Sequence, residues 1–362
     1  MDLLKEARTE INEVDAEMAR LFERRMRATE KVAEYKMAHG LPIFDKEREE
    51  VVIREGARRV EDETLREYYV NFIKSNMELS KAYQHRIMQG MKVAYCGTEG
   101  AFAHIATKKL FPTAEYVAYK DFVSAYRAVE SGECDTAVLP VENSYNGEVG
   151  QVTDLMFSGS LYVNAMLDLA VSHDLLVLPG TQKSDITTVI SHPQALGQCA
   201  EYIRKNGWQT HEYTNTALAA RYLASSSDKS VAAIASAEAA EIFGLEVMDK
   251  NINESRSNST RFATFSKARN VASSHSKKDH FILVFTVKNE AGSLARAIEV
   301  IGKYGFNMRT LRSRPMKELL WQYYFYIEAD GNVDTDAGEA MMKDLSEFCD
   351  SLKLVGTYTK ND

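Results

Sequence analysis

The sequence predicts a multidomain protein with three modules: an all-α segment, an α/β segment and a βαββαβ sandwich. Its 362 residues are enough for two to four domains at roughly 100 to 200 residues per domain. Only three of the 19 glycines fall within residues 1–90, which favours long helices there because glycine weakens a helix interior. Beyond residue 90, short apolar segments alternate with helical ones, as in α/β domains.

The composition excludes several classes of function. With 44 Lys plus Arg against 52 Asp plus Glu, the formal net charge is −8, which argues against a general binder of nucleic acid or anionic membranes. The four cysteines are far apart and lack metal-ligand spacing, so we interpret them as buried thiols. The charged N-terminal residues, with no run of about 20 apolar residues, lead us to expect a soluble, cytoplasmic protein.

The first 90 residues predict three helices. A periodic segment runs from Leu3 to His39 and ends at the helix-breaking Gly40–Pro42. A second helix is predicted from Asp45 to about Arg59, and a third from Thr64 to about Met88, opened by a capping box between Thr64 and Glu67. The first helix carries a coiled-coil-like seam with alternating spacings of three and four residues: Arg8, Ile11, Asp15, Met18, Phe22, Arg25, Thr29, Val32 and Lys36.

Three cations lie on this otherwise largely apolar seam. For one cation alone, extension to solvent or pairing with an acid is the better explanation, but three together favour a binding site. Arg25 and Lys36 lie about 16 Å apart along the helix, so their long side chains can converge on one small dianion. Arg8 lies about 25 Å from Arg25, too far to share that ligand. We therefore expect a dimer with two shared sites, each completed by Arg8 of the partner subunit.

Further polar side chains project from apolar helix faces, and with the seam cations they carry a family resemblance. The eight positions are Arg8, Arg25, Lys36, Asp45, Arg48, Glu49, Ser80 and Gln84. The segment resembles the all-helical chorismate mutases, whose intertwined dimer binds the dicarboxylate chorismate. The resemblance implies that the arginines hold carboxylates, that Lys36 and Gln84 donate to the ether oxygen, and that Glu49 receives the ring hydroxyl. The rearrangement to prephenate is pericyclic, so it requires a reactive conformer and charge stabilisation but no cofactor or metal.

In the α/β segment, several predicted strands end in polar turns that lead into helices. These turns are Gly97–Gly100, Glu142–Ser144, Ser191–Gln194 and Thr214–Thr216, and Asn258–Thr260 opens a further strand. Polar strand ends at one sheet edge predict a cleft site, and the dinucleotide-binding fingerprint of a Rossmann domain is missing. His104, His173 and His192 lack metal-ligand spacing, so we interpret them as structural or surface groups.

Taken in order, four motifs resemble prephenate dehydratases: Gly97–Phe102, Val141–Ser144, Ser191–Gln194 and Thr260–Phe262. The resemblance implies two α/β lobes like those of a periplasmic binding protein, over residues 91–270, with crossovers near 170 and 250. It also implies that Thr260 assists loss of the ring hydroxyl, because a positioned donor suffices when aromatisation drives the loss of water and carbon dioxide. The other implied cleft residues are Asn143, Ser144, Ser191, Gln198, Asn215 and Arg261.

After a polar linker at 273–278, the order βαββαβ predicts a ferredoxin-like sandwich over residues 279–362. A plain dimerisation domain is one interpretation. The module also resembles ACT regulatory domains, which implies that it binds the end product L-phenylalanine where subunits meet. The effector residues would be Ala291, Gly292, Ser293, Leu294, Arg312, Ser313, Arg314 and Pro315. Arg312 stands where that family usually has glutamate.

Together these features predict a bifunctional enzyme that converts chorismate through prephenate to phenylpyruvate, working as a homodimer or a higher oligomer. One alternative is an arogenate dehydratase fused to the mutase, which would form phenylalanine directly. Another is a non-catalytic amino-acid sensor built from the binding-protein-like core and the C-terminal module. The complete mutase set and Thr260 argue against the sensor, since a sensor needs neither.

Overall fold

The computed structural model describes residues 3–255, 258–271, 278–316 and 322–359. Its contacts divide the chain into two compact units, Met1–Met91 and Lys92–Asp362, which are described separately. Residues 273–277 of the linker predicted at 273–278, and the start of the strand predicted from Leu320, lie outside the described residues. None of the helices in the described ranges combines the length and apolar character that a membrane span requires.

The first unit is helical, as predicted. Its helices are α1 (Leu3–His39), α2 (Lys46–Arg58) and α3 (Arg66–Gln89). The carboxylate of Asp45 caps α2 by accepting the N–H of Arg48 at 3.0 Å. The capping box predicted at Thr64 is wrong, because the carboxylate of Asp62 accepts both the N–H and the hydroxyl of Thr64. A short 3-10 turn, Glu63–Leu65, therefore precedes α3.

The long first helix is largely uncovered within its own chain. Of its 37 residues, only Thr29 and Ala33 are buried. Apolar seam residues nearer its N terminus stay exposed, with Ile11 at 58% and Phe22 at 42% of their maximal accessible surface. A contiguous exposed apolar face of this kind is typical of an interaction surface.

The second unit contains two β-sheets flanked by helices. Its strands are β1 (Lys92–Cys96), β2 (Glu115–Tyr119), β3 (Thr136–Asn143), β4 (Gly147–Glu148), β5 (Tyr162–Ala170), β6 (Asp174–Val177), β7 (Thr188–Ser191), β8 (Gln209–Glu212), β9 (Val231–Ala235), β10 (Glu246–Asp249), β11 (Ser259–Ser266), β12 (Asp279–Thr286), β13 (Met308–Pro315), β14 (Tyr323–Asp330) and β15 (Ser351–Thr359). Its helices are α4 (Phe102–Leu110), α5 (Phe122–Ser131), α6 (Gly150–Ser158), α7 (Pro193–Gln198), α8 (Ala200–Asn206), α9 (Thr216–Ser225), α10 (Ala237–Phe243), α11 (Ser293–Lys303) and α12 (Asp336–Ser346).

The two sheets form two lobes, which confirms the predicted two-lobed α/β architecture. The larger sheet has the order β13-β14-β12-β15-β5-β11-β3-β1-β2, with β4 paired to β3, and the smaller sheet has the order β10-β6-β9-β7-β8. The chain passes to the smaller sheet between β5 and β6, and it returns between β10 and β11. The C-terminal end of β5 and the N-terminal end of β11 therefore lie where the two lobes meet.

The last six elements follow the predicted βαββαβ order and extend the larger sheet. One face of this extension packs against α11 and α12 through a core that includes Phe281 and Leu283. The other face contributes Ile282 and Tyr326 to the core of the first lobe. The C-terminal strands thus share both a sheet and a hydrophobic core with that lobe.

Gly356 makes the close junction between β15 and β5 possible. Gly356 is paired with Val163, and a Cβ at position 356 would lie 1.9 Å from the carbonyl oxygen of Val163. We expect Gly356→Ala to lower the free energy of unfolding by about 1–3 kcal/mol through overpacking. Thermal unfolding followed by circular dichroism measures this.

The matched control is Gly302→Ala within α11, where a Cβ would meet nothing within 4 Å. Because alanine is favoured over glycine in a helix by about 0.5–1 kcal/mol, this variant should keep or raise the Tm. Equal Tm values for the two variants would contradict the assignment of the junction.

Candidate functional sites

The first candidate site is a polar pocket of about 270 Å³ between the three helices of the first unit. The predicted residues that line it are Arg25, Lys36, Asp45, Arg48, Glu49, Ser80 and Gln84. Arg8 does not line it, because Arg8 is exposed and lies about 25 Å from Arg25 along α1. The pocket thus assembles seven of the eight predicted side chains from one chain.

Neutral groups hold the two seam cations of this pocket. The guanidinium of Arg25 donates to the Ser80 hydroxyl and, at 3.3 Å, to the carbonyl oxygen of Asn76. Burial lowers the pKa of Arg25. The ammonium of Lys36 donates to the carbonyl oxygen of Ile43 at 2.5 Å. Within the described residues neither cation has a carboxylate partner, so both positive charges are available to an anionic ligand.

Gln84 adds unused hydrogen-bonding capacity to the pocket. Its side chain is buried, and its Nε2 makes one long hydrogen bond of 3.4 Å to the carbonyl oxygen of Ser80. Its Oε1 has no partner among the described residues. Because a buried amide without partners is costly, this arrangement fits a side chain that hydrogen-bonds a ligand.

Lys81 also lines the pocket, and the sequence reasoning missed it. Its ammonium pairs with Glu49 at 2.9 Å and with Glu78 at 2.7 Å. These two hydrogen bonds raise the pKa of Lys81. The spacing of Met77, Lys81 and Gln84 on α3 puts them on one helix face, and that spacing was the signal that could have revealed Lys81.

The second candidate site is a cleft of about 500 Å³ between the two lobes of the second unit. The predicted residues that line it are Asn143, Gln198, Asn215 and Thr260. Thr260 on β11 is paired in register with Asn143 on β3, so their side chains share the cleft face of the sheet. Asn215 caps α9 by accepting the N–H of Leu218 at 2.7 Å.

The orientation of the Asn143 amide is fixed by the main chain. Its Oδ1 accepts hydrogen bonds of 3.0 Å from the backbone N–H groups of Tyr145 and Asn146. Because a backbone N–H can only donate, the Nδ2 group must face Asn258 and Thr260, at 3.0 and 2.9 Å. The Thr260 hydroxyl therefore accepts from Asn143 and keeps its own proton for donation.

The orientation of Asn143 also fixes the donors and acceptors of the hydrogen bonds that lead across the cleft to the buried His173. Asn258 donates from Nδ2 to Oε1 of Gln198 at 3.0 Å, and Nε2 of His173 lies 2.8 Å from that oxygen. His173 must therefore carry a proton on Nε2, which leaves Nδ1 as an acceptor without a partner among the described residues. Burial lowers the pKa of His173, so the neutral form dominates.

His173 lines the cleft and is 3% exposed, so of the two interpretations given for it, a structural or a surface group, the surface group is wrong. The rings of Phe102 and His173 pack edge to face, with their centroids 5.8 Å apart. No spacing in the sequence indicated this role. The only available signal was its position beside the crossover between the lobes, where ligands of two-lobed proteins bind.

Three predicted cleft residues lie elsewhere. The hydroxyl of Ser191 is fully buried and donates to the carbonyl oxygen of Ile234 at 2.6 Å, where β7 pairs with β9. The hydroxyl of Ser144 accepts the N–H of Ser259 at 2.9 Å, which ties β3 to β11. Arg261 points away from the cleft, because alternate residues of a strand face opposite sides and Thr260 faces the cleft.

Among the described residues, the pocket beside the first segment of the predicted effector site is not lined by Arg312, Ser313, Arg314 or Pro315. Gly292 adopts a left-handed conformation with φ +83° before the buried Ser293, and Leu294 lines a pocket at the start of α11. Arg312 and Arg314 instead point toward the first lobe, where they form ion pairs. Strand alternation on β13 directs both arginines to the face opposite α11 and α12.

Comparison with known proteins places both sites in families. A family profile described as chorismate mutase type II matches residues 7–85, and one described as prephenate dehydratase matches residues 93–270. A bifunctional chorismate mutase/prephenate dehydratase of Aquifex aeolicus is 30% identical over 371 residues, which cover 99% of each protein.

Two further relatives match the second unit. Arogenate dehydratase/prephenate dehydratase 2 of Arabidopsis thaliana is 31% identical over 277 residues, 74% of this chain and 72% of that protein. The structure of a prephenate dehydratase from Arthrobacter aurescens in complex with L-Phe superposes with a TM-score of 0.69 at 23% identity, over 75% of this chain and 90% of that one. The two predicted activities are thus confirmed, and the chain belongs to the family of bifunctional chorismate mutase/prephenate dehydratases, enzymes of phenylalanine biosynthesis.

Proposed function

We propose that the helical pocket isomerises chorismate within a homodimer, in which each site combines one chain's cations with Arg8 of the partner subunit. The observation that carries this proposal is the unpaired state of Arg25 and Lys36 within the described residues, beside Arg48. Chorismate carries two carboxylates, which guanidinium groups bind with two parallel hydrogen bonds. The exposed apolar seam of α1 supports a second copy as the source of the missing cation.

In this pocket the enzyme acts by conformation and charge. Arg25 and Arg48 hold the carboxylates so that the ends of the new carbon–carbon bond come within reach. Lys36 and Gln84 donate to the ether oxygen, which gains negative charge as its bond to the ring breaks. Glu49, oriented by Lys81, receives the ring hydroxyl. Asp45 and Ser80 hold α2 and Arg25 in place.

We also propose that Thr260 protonates the hydroxyl that leaves prephenate. As the ring carboxylate departs as carbon dioxide, its bonding electron pair enters the ring and the carbon–oxygen bond to the hydroxyl breaks. The proton held by Thr260 passes to that oxygen, which leaves as water, and water that enters the cleft returns a proton to the Thr260 oxygen. Asn143 supports this role by donating to Thr260 and so directing its proton outward.

The network from Asn258 through Gln198 to His173 would orient the substrate between the lobes. Arogenate, which has an ammonium group in place of the keto oxygen of prephenate, is the second candidate substrate. The Arabidopsis relative, whose name includes both dehydratase activities, favours testing both.

We assign the mutase to residues 1–90, the dehydratase to 91–270 and an ACT-type regulatory module to 279–362. The pocket beside Leu294, completed by a second copy, is our candidate site for L-phenylalanine. The L-Phe complex of the Arthrobacter aurescens dehydratase supports this choice of effector.

The dehydratase proposal predicts the effect of removing one hydroxyl. Thr260→Ala should reduce kcat for prephenate by about 10²–10⁴-fold, as expected for loss of a general acid, and leave chorismate isomerisation unchanged. Thr260→Ser should restore part of the rate. Assays with prephenate and with arogenate, each with and without L-phenylalanine, identify the substrate and test the effector.

The control is Thr264→Ala, which removes a buried hydroxyl from the same strand outside the cleft. It should keep the dehydratase rate. Equal loss of the mutase and dehydratase activities in Thr260→Ala would mean that the modules are misassigned.

The shared mutase site predicts complementation between two inactive chains. Arg8→Ala and Arg25→Ala homodimers should each lose mutase activity, whereas a mixed dimer contains one site with neither substitution. Mixed dimers, verified by differential tagging, should recover up to about half of the wild-type rate per active dimer if the carboxylates are held across the interface. No recovery in verified mixed dimers would contradict the shared site, and Arg20→Ala, an exposed change on α1, serves as a control.

A further inference from the structure

An ionic layer lies directly behind the cleft face of β3 and β11. The residues adjacent in sequence to Asn143 and Thr260 are Glu142 and Arg261, and they are paired with each other in register. Because side chains alternate along a strand, these two side chains face away from the cleft. Both meet charged residues of the C-terminal strands.

The first contact joins Glu142 to β13. Its carboxylate accepts a hydrogen bond from Arg312 at 2.5 Å, and the two side chains are 33% and 20% exposed. The guanidinium of Arg312 also lies 5.7 Å from the ring centroid of Tyr326, which is buried. Arg312, the departure from the usual ACT-type sequence, thus has a carboxylate partner in the dehydratase lobe.

The second contact joins Arg261 to β14. Its guanidinium donates to Asp168 on the neighbouring β5 at 2.9 Å and to Glu328 at 3.3 Å. Glu328 is only 5% exposed and also accepts the hydroxyl of Tyr358 at 2.5 Å. A buried carboxylate with two donors is held firmly, and removal of one partner leaves an uncompensated charge.

These contacts occur where the pairing of β3 with β11 is irregular. The register shifts between Arg261 and Phe262, immediately after the pair formed by Arg261 and Glu142. Such a bulge disrupts the backbone ladder, so side-chain contacts there take a larger share in fixing the strands. A shift of Glu142 or Arg261 would move the neighbouring cleft residues through the shared main chain.

We infer that Arg312 and Glu328 are positioning residues for dehydration, and that the C-terminal strands hold Asn143 and Thr260 in their reactive arrangement from behind. The inference rests on the roles proposed for Thr260 and Asn143. It makes the C-terminal module a structural part of the dehydratase site, whether or not an effector is bound. Misplacement of reacting groups by about 1 Å can cost 10²-fold in rate.

The test compares two ion pairs that connect the same modules in the full-length protein. Arg312→Ala should lower kcat for prephenate by roughly 10- to 100-fold, with KM changed much less and the mutase rate unchanged. Arg312→Lys, which keeps the charge, should recover part of kcat. In a double-mutant cycle, the double variant that carries Arg312→Ala and Glu142→Gln should have a kcat no lower than that of the slower single variant.

The matched control is Arg269→Ala. Arg269 pairs with Asp334 of the C-terminal module at 2.6 Å, and the two side chains are 23% and 21% exposed, but the pair lies beyond the end of β11. This variant should lose stability to a similar extent and keep kcat, as measured by thermal unfolding and by prephenate turnover.

Two outcomes overturn the inference. If Thr260→Ala loses activity but Arg312→Ala keeps the kcat of the Arg269→Ala control, the positioning role fails while the proposed catalytic site stands. If Thr260→Ala itself keeps full kcat, the proposed site fails and the inference fails with it.

Discussion

The Asn143 amide accepts hydrogen bonds from the N–H groups of Tyr145 and Asn146, and this interaction determines the hydrogen-bond direction throughout the dehydratase cleft. The loop after β3 folds back on its own side chain, as asparagine readily allows. Because Asn143 then donates from Nδ2, the Thr260 hydroxyl is an acceptor of this bond. On the other side, the orientations of Asn258 and Gln198 and the protonated nitrogen of His173 follow in turn. One short turn thereby specifies the proton positions of residues that come from both lobes.

The two sites of the enzyme use opposite electrostatics. The helical pocket presents Arg25 and Lys36 without acidic partners in the described residues, which suits a substrate that keeps both carboxylates throughout its rearrangement. The cleft network consists of amides, a hydroxyl and a neutral imidazole. Such a network suits loss of a carboxylate as carbon dioxide, because a cation held against that group would stabilise the ground state.

Residues on one helix face were predictable, whereas contacts between distant segments were not. The helical period placed Arg25 and Lys36 on one face of α1, the resemblance to chorismate mutases added Gln84, and the cleft motifs located Asn143 and Thr260. Strand alternation could have excluded Arg261 from the cleft once Thr260 was placed in it. His173 and the Arg312–Glu142 pair depend on strand pairing across long separations, which no local pattern records.

The direction of the cleft network is tested most directly at its far end, by 15N NMR of the imidazole of His173. The chain has eight histidines, so comparison with a His173→Gln variant assigns the signal. Burial lowers the pKa of His173, so it should charge only at more acidic pH than an exposed histidine. Near neutral pH the ring should be neutral with its proton on Nε2. A neutral ring protonated on Nδ1 would mean that Gln198 presents its amide nitrogen to His173 and that the network does not originate at Asn143. A charged ring would contradict the neutral form that burial favours.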